Sequence, residues 1–193
     1  MYGLRGNGQK TFQRYEPGTD SWTTLAETPA NMSKGSGLAY HAANGKIYAT
    51  RGGGKELYEF TIGVPGTWTA KAAVTDNFKD GGALVSAGPH LYALRGDGQK
   101  TFWRYDPGTD TWITRADAPG KVEAGGAMVV VGNYIYAFQG KSDAFWRYDI
   151  ASNSWVTLSA APGTVNQGGA LTAIGNTIFA YQGDSSALWR YSV

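Results

Sequence analysis

The chain has no cysteine, only 17% charged residues, two histidines and no long apolar run. The absence of cysteine excludes disulfides, thiolate metal sites and a cysteine nucleophile. A formal charge of +2, with Lys and Arg scattered along 193 residues, argues against nucleic acid or an anionic membrane as the partner. No stretch approaches the roughly 18 apolar residues that a membrane-spanning helix needs. Met1 is followed directly by Tyr2-Gly3-Leu4-Arg5, with no charged-then-apolar leader, so no signal peptide is expected. The composition sets no compartment: it suits a bacterial or archaeal protein, inside or outside the cell. What is abundant is glycine (28 residues) and aromatic residues (13%), a mixture of short strands, tight turns and flat aromatic packing.

A repeat of about 44 residues organises the whole chain. Tryptophans fall at Trp22, Trp68, Trp112 and Trp155, spaced 46, 44 and 43. A second aromatic register runs through Tyr2, Tyr48, Tyr92, Tyr136 and Phe179, spaced 46, 44, 44 and 43. This period with strand chemistry suits propeller blades of four strands. Strand A is glycine-led and then apolar: 35–40, 81–87, 125–131 and 168–174. Strand B ends on glycine, as in KIYATRG and HLYALRG. Strand C is aromatic, as in FWRYDP, and strand D carries the tryptophan, as in SWTTL and TWITR. Between C and D, segments such as Asp106-Pro107-Gly108-Thr109-Asp110 supply turn chemistry. No segment keeps a 3.6-residue apolar period, so almost no helix is expected. Near-continuous apolar residues in strands A to C predict sheets covered on both faces.

The ordered motifs resemble kelch repeats. Gly81-Gly82, Tyr92, Gly96, Tyr105-Asp106-Pro107 and Trp112 match the kelch pattern in order. Gly125-Gly126, Tyr136, Gly140, Tyr148-Asp149 and Trp155 match it again. The glycine pair that usually follows strand B survives only as Gly52-Gly53, and the chain looks more like bacterial kelch-like repeats with an LRGxGxxxFWRYDP theme. The resemblance implies an all-β, kelch-like β-propeller in one domain, 1–193, with repeats starting near 35, 81, 125 and 168. Partial blades are expected at 1–34 and 168–193. It implies function only broadly, because such propellers serve as protein platforms, sugar-handling enzymes and lectin-like modules.

The repeats number about four and a half: four A, five B, five C and four D strands, one B–C hairpin more than four blades use. The N-terminal B–C–D unit could borrow strand A from 168–174, or the C-terminal A–B–C unit could borrow strand D from around Trp22. Five blades, two of them three-stranded, and completion between chains are the other solutions, and open edges predict self-association. Residues 2–22 and 92–112 agree at 16 of 21 positions, a sign of recent duplication, construction or truncation of a longer array.

The candidate chemistry is sparse. Trp103, Trp146 and Trp189 share a strand C position, where they serve either as blade-to-blade packing or as sugar-stacking platforms. Arg14, Arg104, Arg147 and Arg190 follow in strand C, with Glu59 in the odd unit, and suit cation–π or ion-pair contacts. Arg5, Arg51, Arg95, Gln139 and Gln182 precede the glycine that ends strand B. They are the candidate ligand-binding set: polar side chains on one face near the axis, suited to a carboxylate, phosphate or sugar, or else to loop carbonyls. Asn7, Asp97, Asp143 and Asp184 place too few oxygens together for calcium. His41 and His90 fall on the opposite face, and no repeat shows the paired carboxylates of a glycosidase. Symmetry breaks only at 27–37, with Lys34, and at Asp76–Asp80. No catalytic residue, metal or cofactor is expected. The reading is a non-enzymatic scaffold that binds a protein or other ligand through the face carrying the B–C and D–A loops. A lectin-like, multivalent carbohydrate-binding module is the alternative.

Overall fold

Each strand C alternates strictly, and that alternation builds the molecule. In Phe145–Asp149, Trp146 and Tyr148 pack with Tyr92 and Phe102 of the preceding repeat, while Phe145 packs with Ile178 and Ala180 of the following one. Both faces of a sheet are thereby buried, which explains the near-continuous apolar sequence.

The computed structural model describes residues 1–193 as eighteen strands and no helix. The first sheet has three strands: β1 (Tyr2–Leu4), β2 (Phe12–Glu16) and β3 (Ser21–Thr24). The second is β4 (Gly37–His41), β5 (Lys46–Thr50), β6 (Leu57–Thr61) and β7 (Thr67–Lys71). The third is β8 (Ala83–Ala87), β9 (His90–Leu94), β10 (Phe102–Asp106) and β11 (Thr111–Thr114). The fourth is β12 (Ala127–Val131), β13 (Tyr134–Phe138), β14 (Phe145–Asp149) and β15 (Ser154–Thr157). The last has three: β16 (Ala170–Ile174), β17 (Thr177–Tyr181) and β18 (Leu188–Ser192). All pairs are antiparallel and sequential, and the inner strands β4, β8, β12 and β16 stand side by side in that order.

About four and a half repeats thus come out as five blades, the outer two three-stranded. Neither strand-borrowing closure forms. Leu188 is 65% exposed and Ile174 72%, whereas Phe102, which occupies the Leu188 position two blades earlier, is fully buried. Trp22 on the first blade is 53% exposed. The five blades form an open arc whose two end faces carry the residues that are core elsewhere.

Neighbouring blades are fastened at the outer rim by one recurrent device. The Trp112 indole N–H donates to the Ala72 carbonyl at 2.8 Å, Trp155 to Ala116 at 2.9 Å and Trp68 to Ala26 at 2.9 Å. Asp110 Oδ1 accepts from both Tyr105 Oη at 2.6 Å and the Ala72 N–H at 2.9 Å, and Asn153 does the same for Tyr148 and Ala116. Asp110 and Asn153 sit at positive φ (53° and 55°), the region that Asp and Asn enter at least cost, which aims their carboxyl or amide at the neighbouring blade.

Buried phenols set the alkaline limit of the fold. Burial pushes Tyr48, Tyr92, Tyr105 and Tyr136 above the ordinary tyrosine value. Hydrogen bonds to Glu59 and Asp110 push Tyr48 and Tyr105 further. The unfolded chain releases these protons near pH 10 while the folded chain keeps them. Stability is therefore full below that value and falls as pH rises past it. The midpoint of urea unfolding is expected to drop between about pH 8 and about pH 11, and a flat midpoint would contradict the assignment.

Candidate binding face

The glycine that ends strand B is required by crowding. A Cβ on Gly96 would lie 2.6 Å from the Lys79 carbonyl oxygen and 2.6 Å from the Gly82 nitrogen. There the segment joining strand D to the next strand A crosses the end of strand B: Lys79 N–H donates to Arg95 O at 2.9 Å, Glu123 to Gln139 at 2.8 Å and Asn166 to Gln182 at 2.8 Å. The next residue turns back at positive φ in every repeat: Asn7 (60°), Gly53 (82°), Asp97 (57°), Lys141 (48°) and Asp184 (45°). The first four B–C loops are then each zipped to the following crossing segment. Gly8 N–H donates to Met32 O and Gly98 N–H to Val122 O, both at 2.8 Å. Met32, Phe78, Val122 and Val165, one per crossing segment, are fully buried anchors.

These anchored loops surround a polar mouth. A cavity of about 480 Å³ is walled by Asn7, Gly8, Ser33, Lys34, Gly53, Lys79, Asp80 and Asp97, with no apolar residue among them. Its walls come from the first three blades, brought together by the curvature of the arc. Lys34 Nζ lies 3.5 Å from Asp80 across one blade junction, and Lys79 Nζ lies 2.6 Å from Asp97 within one blade. The Lys79 ammonium, by hydrogen bond and charge, holds the Asp97 carboxyl below its ordinary range. The fourth blade carries the same pair reversed, Glu123 with Lys141 at 3.5 Å. All three pairs are well exposed, so they contribute little to stability and remain available to a ligand.

The five residues singled out in strand B are not walls of this cavity. Arg51 reaches the Glu56 carboxylate at 3.0 Å and the Asn31 carbonyl at 3.4 Å. Arg95 pairs with Asp76 at 3.4 Å, and Gln182 donates to the Thr164 carbonyl at 2.9 Å. Gln139 lies beside Gly120, where an added Cβ would be 3.1 Å from its Oε1. Arg5 is exposed. Four of the five thus face the D–A segments of the same face, outside the mouth. Ser33 and Lys34 lie in the symmetry-breaking segment 27–37, and Lys79 and Asp80 in Asp76–Asp80, the two segments that the sequence marks for a unique site. The aligned positions in the later repeats are Glu123-Ala124 and Asn166-Gln167, so the first three blades alone set Lys34 against Asp80.

The aromatic candidates lie elsewhere. Trp103 and Trp146 are buried between blades. Arg147 stacks over Tyr134 at 4.4 Å. On the opposite face, His41 Nδ1 meets Asn44 Oδ1 at 3.0 Å, Asn44 donates to Tyr48 Oη, and Tyr48 donates to Glu59. Glu59 therefore stands where other repeats have the strand C arginine, a donor only, and accepts the hydrogen bond of the phenol. Tyr48→Phe leaves that carboxylate without its donor and is expected to cost about 1–3 kcal/mol in denaturant unfolding.

No protein-family model matches the sequence, and no curated protein is similar to it. Among solved structures, that of YjhT matches with a TM-score of 0.69 at 20% identity, over 81% of this chain and 59% of that one. The fold is a five-bladed β-propeller. The chain spans about three-fifths of the length of YjhT. At this identity the likeness concerns the propeller architecture alone.

Proposed function

We propose that this propeller is a kelch-like, non-enzymatic binding scaffold whose ligand meets the face carrying the B–C and D–A loops. One observation supports the reading most: that face holds a wholly polar, open mouth whose charged walls pair only across exposed contacts. A rigid backbone supports them, with the loops of the first three blades tied by main-chain hydrogen bonds to the fully buried anchors Met32, Phe78 and Val122. Alternating Lys and Asp side chains suit a ligand rich in both donors and acceptors, such as a polar protein loop. The two carboxylates that wall the mouth, Asp80 and Asp97, are each paired with a lysine, which suits them to charge recognition rather than to proton abstraction.

The test uses peptide and glycan arrays probed with the intact chain and with a Lys34→Ala, Lys79→Ala, Asp97→Ala triple variant. These three side chains are exposed, so the variant is expected to stay folded, its stability lowered only by about 1–2 kcal/mol, the cost of Ala at the positive φ of position 97. The reading predicts peptide hits that weaken at least about tenfold in the variant, the cost of removing a few interface charge contacts. Hits that survive the variant unchanged, or hits confined to glycans, would contradict it.

A further inference from the structure

Two interior blade junctions carry the same polar positions with opposite charge. Between the second and third blades the charges are matched. Tyr48 donates to Glu59, which stands opposite it across the β5–β6 pair. Lys71 Nζ lies 3.6 Å from Asp110, whose carboxylate accepts from Tyr105. Between the third and fourth blades both of those carboxylates are replaced. Arg104 stands opposite Tyr92 as Glu59 stands opposite Tyr48, and Asn153 holds Tyr148 as Asp110 holds Tyr105. Arg115 takes the place of Lys71, and its Nε donates to Tyr148 Oη at 3.0 Å. The Tyr92 and Tyr148 rings are 6.0 Å apart, so two guanidiniums flank one pair of phenols. Burial raises the Tyr92 phenol, and the charges of Arg104 and Arg115 both oppose that rise.

Neither arginine forms a salt bridge. Asp106, the acid of β10, accepts from the Gly108 N–H at 2.8 Å. His90 lies two residues before Tyr92 on β9 and so on the same face of the sheet. Its Nδ1 and Arg104 Nε are buried without a hydrogen-bond partner, although Arg104, Arg115 and His90 each keep part of their surface in solvent. Desolvation and then the Arg104 charge hold His90 below the ordinary histidine value. Arg115 and His41 act the same way, and Asp106 opposes them. This grouping occurs once. Around the fourth blade, Leu158 stands for Arg115 and Tyr134 for His90, and there Arg147 stacks on Tyr134.

We propose that the junction of the third and fourth blades binds an oxyanion, a phosphate or carboxylate group, on the face opposite the polar mouth. Arg104 and Arg115 are its charged donors, and His90 Nδ1 and Tyr92 Oη are the neutral donors beside them. The preceding junction satisfies the same positions from within, where the Glu59 carboxylate receives the Tyr48 phenol. A bound oxyanion does that work here. Planar guanidiniums match phosphate and carboxylate oxygens in pairs, which the single ammonium of Lys71 does not. Both blades are interior to the array, so the site is independent of either end of the arc.

The probes are inorganic phosphate and acetate, titrated separately into the intact chain at constant ionic strength held with sodium chloride. The readout is the His90 imidazole signal in NMR, identified by its loss in His90→Gln. The signal is expected to move saturably with at least one anion, and the protonation midpoint of His90 to rise, because a bound anion favours the imidazolium. Saturation by phosphate alone assigns the site to phosphates, and saturation by acetate alone assigns it to carboxylates. Arg115→Leu copies Leu158 and is expected to weaken binding at least about tenfold, the loss of one charge-assisted contact. Arg104→Gln keeps an acceptor for Tyr92, as Glu59 is for Tyr48, and is expected to abolish the movement. Signal dispersion in the same spectra reports whether each variant is folded, and should Arg104→Gln unfold, Arg115→Leu alone decides. No movement with either anion, movement that sodium chloride reproduces, or affinity unchanged in a folded variant overturns the proposal.

Discussion

Gly81→Ala is expected to cost more than about 3 kcal/mol, enough to unfold a chain of ordinary stability, while the equivalent Gly168→Ala costs about 1–2 kcal/mol. Both glycines open a strand A at the same conformation, φ 83° and 84°. Both substitutions therefore carry the strain of placing a Cβ at positive φ. They differ in what lies beyond. A Cβ on Gly81 would stand 2.6 Å from the Glu123 carbonyl carbon, backbone of the next blade that cannot move aside without breaking the Glu123 N–H to Gln139 O bond. A Cβ on Gly168 would meet only Gly183 Cα, at 3.8 Å, because no other blade packs against it in this structure. Equal costs in urea unfolding would mean that the last blade has a neighbour after all.

The second large effect follows the same logic in the core. Phe102→Ala is expected to cost about 3–5 kcal/mol, the usual range for a buried phenylalanine. Its ring is fully buried, stacked at 5.8 Å on Tyr92 and edge-on to Tyr148 at 4.8 Å and Trp155 at 5.0 Å, the last two from the following blade. Leu188 occupies the same repeat position and is 65% exposed, so Leu188→Ala should stay within about 0.5 kcal/mol of the parent. Denaturant midpoints for the two variants, measured side by side, decide the matter. A cost at Leu188 approaching that at Phe102 would show the end face covered in solution.

Much of this fold was legible in the sequence, because a repeat converts one weak motif into several mutually supporting ones. The strand order, the absence of helix, the turn at Asp106–Asp110 and the surplus hairpin all follow from spacing and turn chemistry. The choice among closures did not follow. Each alternative would use chemically equivalent residues, such as the Trp22 and Trp155 strands, and composition cannot rank pairings that are alike in every local term. Packing in three dimensions decides instead: each end sheet keeps three strands and takes none from the other end.

The candidate site was legible at the level of a face and not of side chains. Residue order placed Arg51 and Arg95 at the end of strand B. A long side chain there can turn inward to the axis or outward to a loop, and Glu56 and Asp76 draw these two outward. The axial walls come from Asn7, Lys34 and Asp80, residues of different repeats that no local window holds together. Only the positive φ after each strand B glycine, and the curvature of the arc, bring them to one mouth.

Hydrogen exchange by mass spectrometry on the intact chain tests the open five-bladed arc most directly. Amides of β5, β6, β9, β10, β13 and β14, the middle strands of blades covered on both faces, should exchange slowest. Those of β1 and β18, at the two open ends, should exchange fastest among the strands. Uniform protection across all five blades, with β18 as slow as β14, would contradict the open arc.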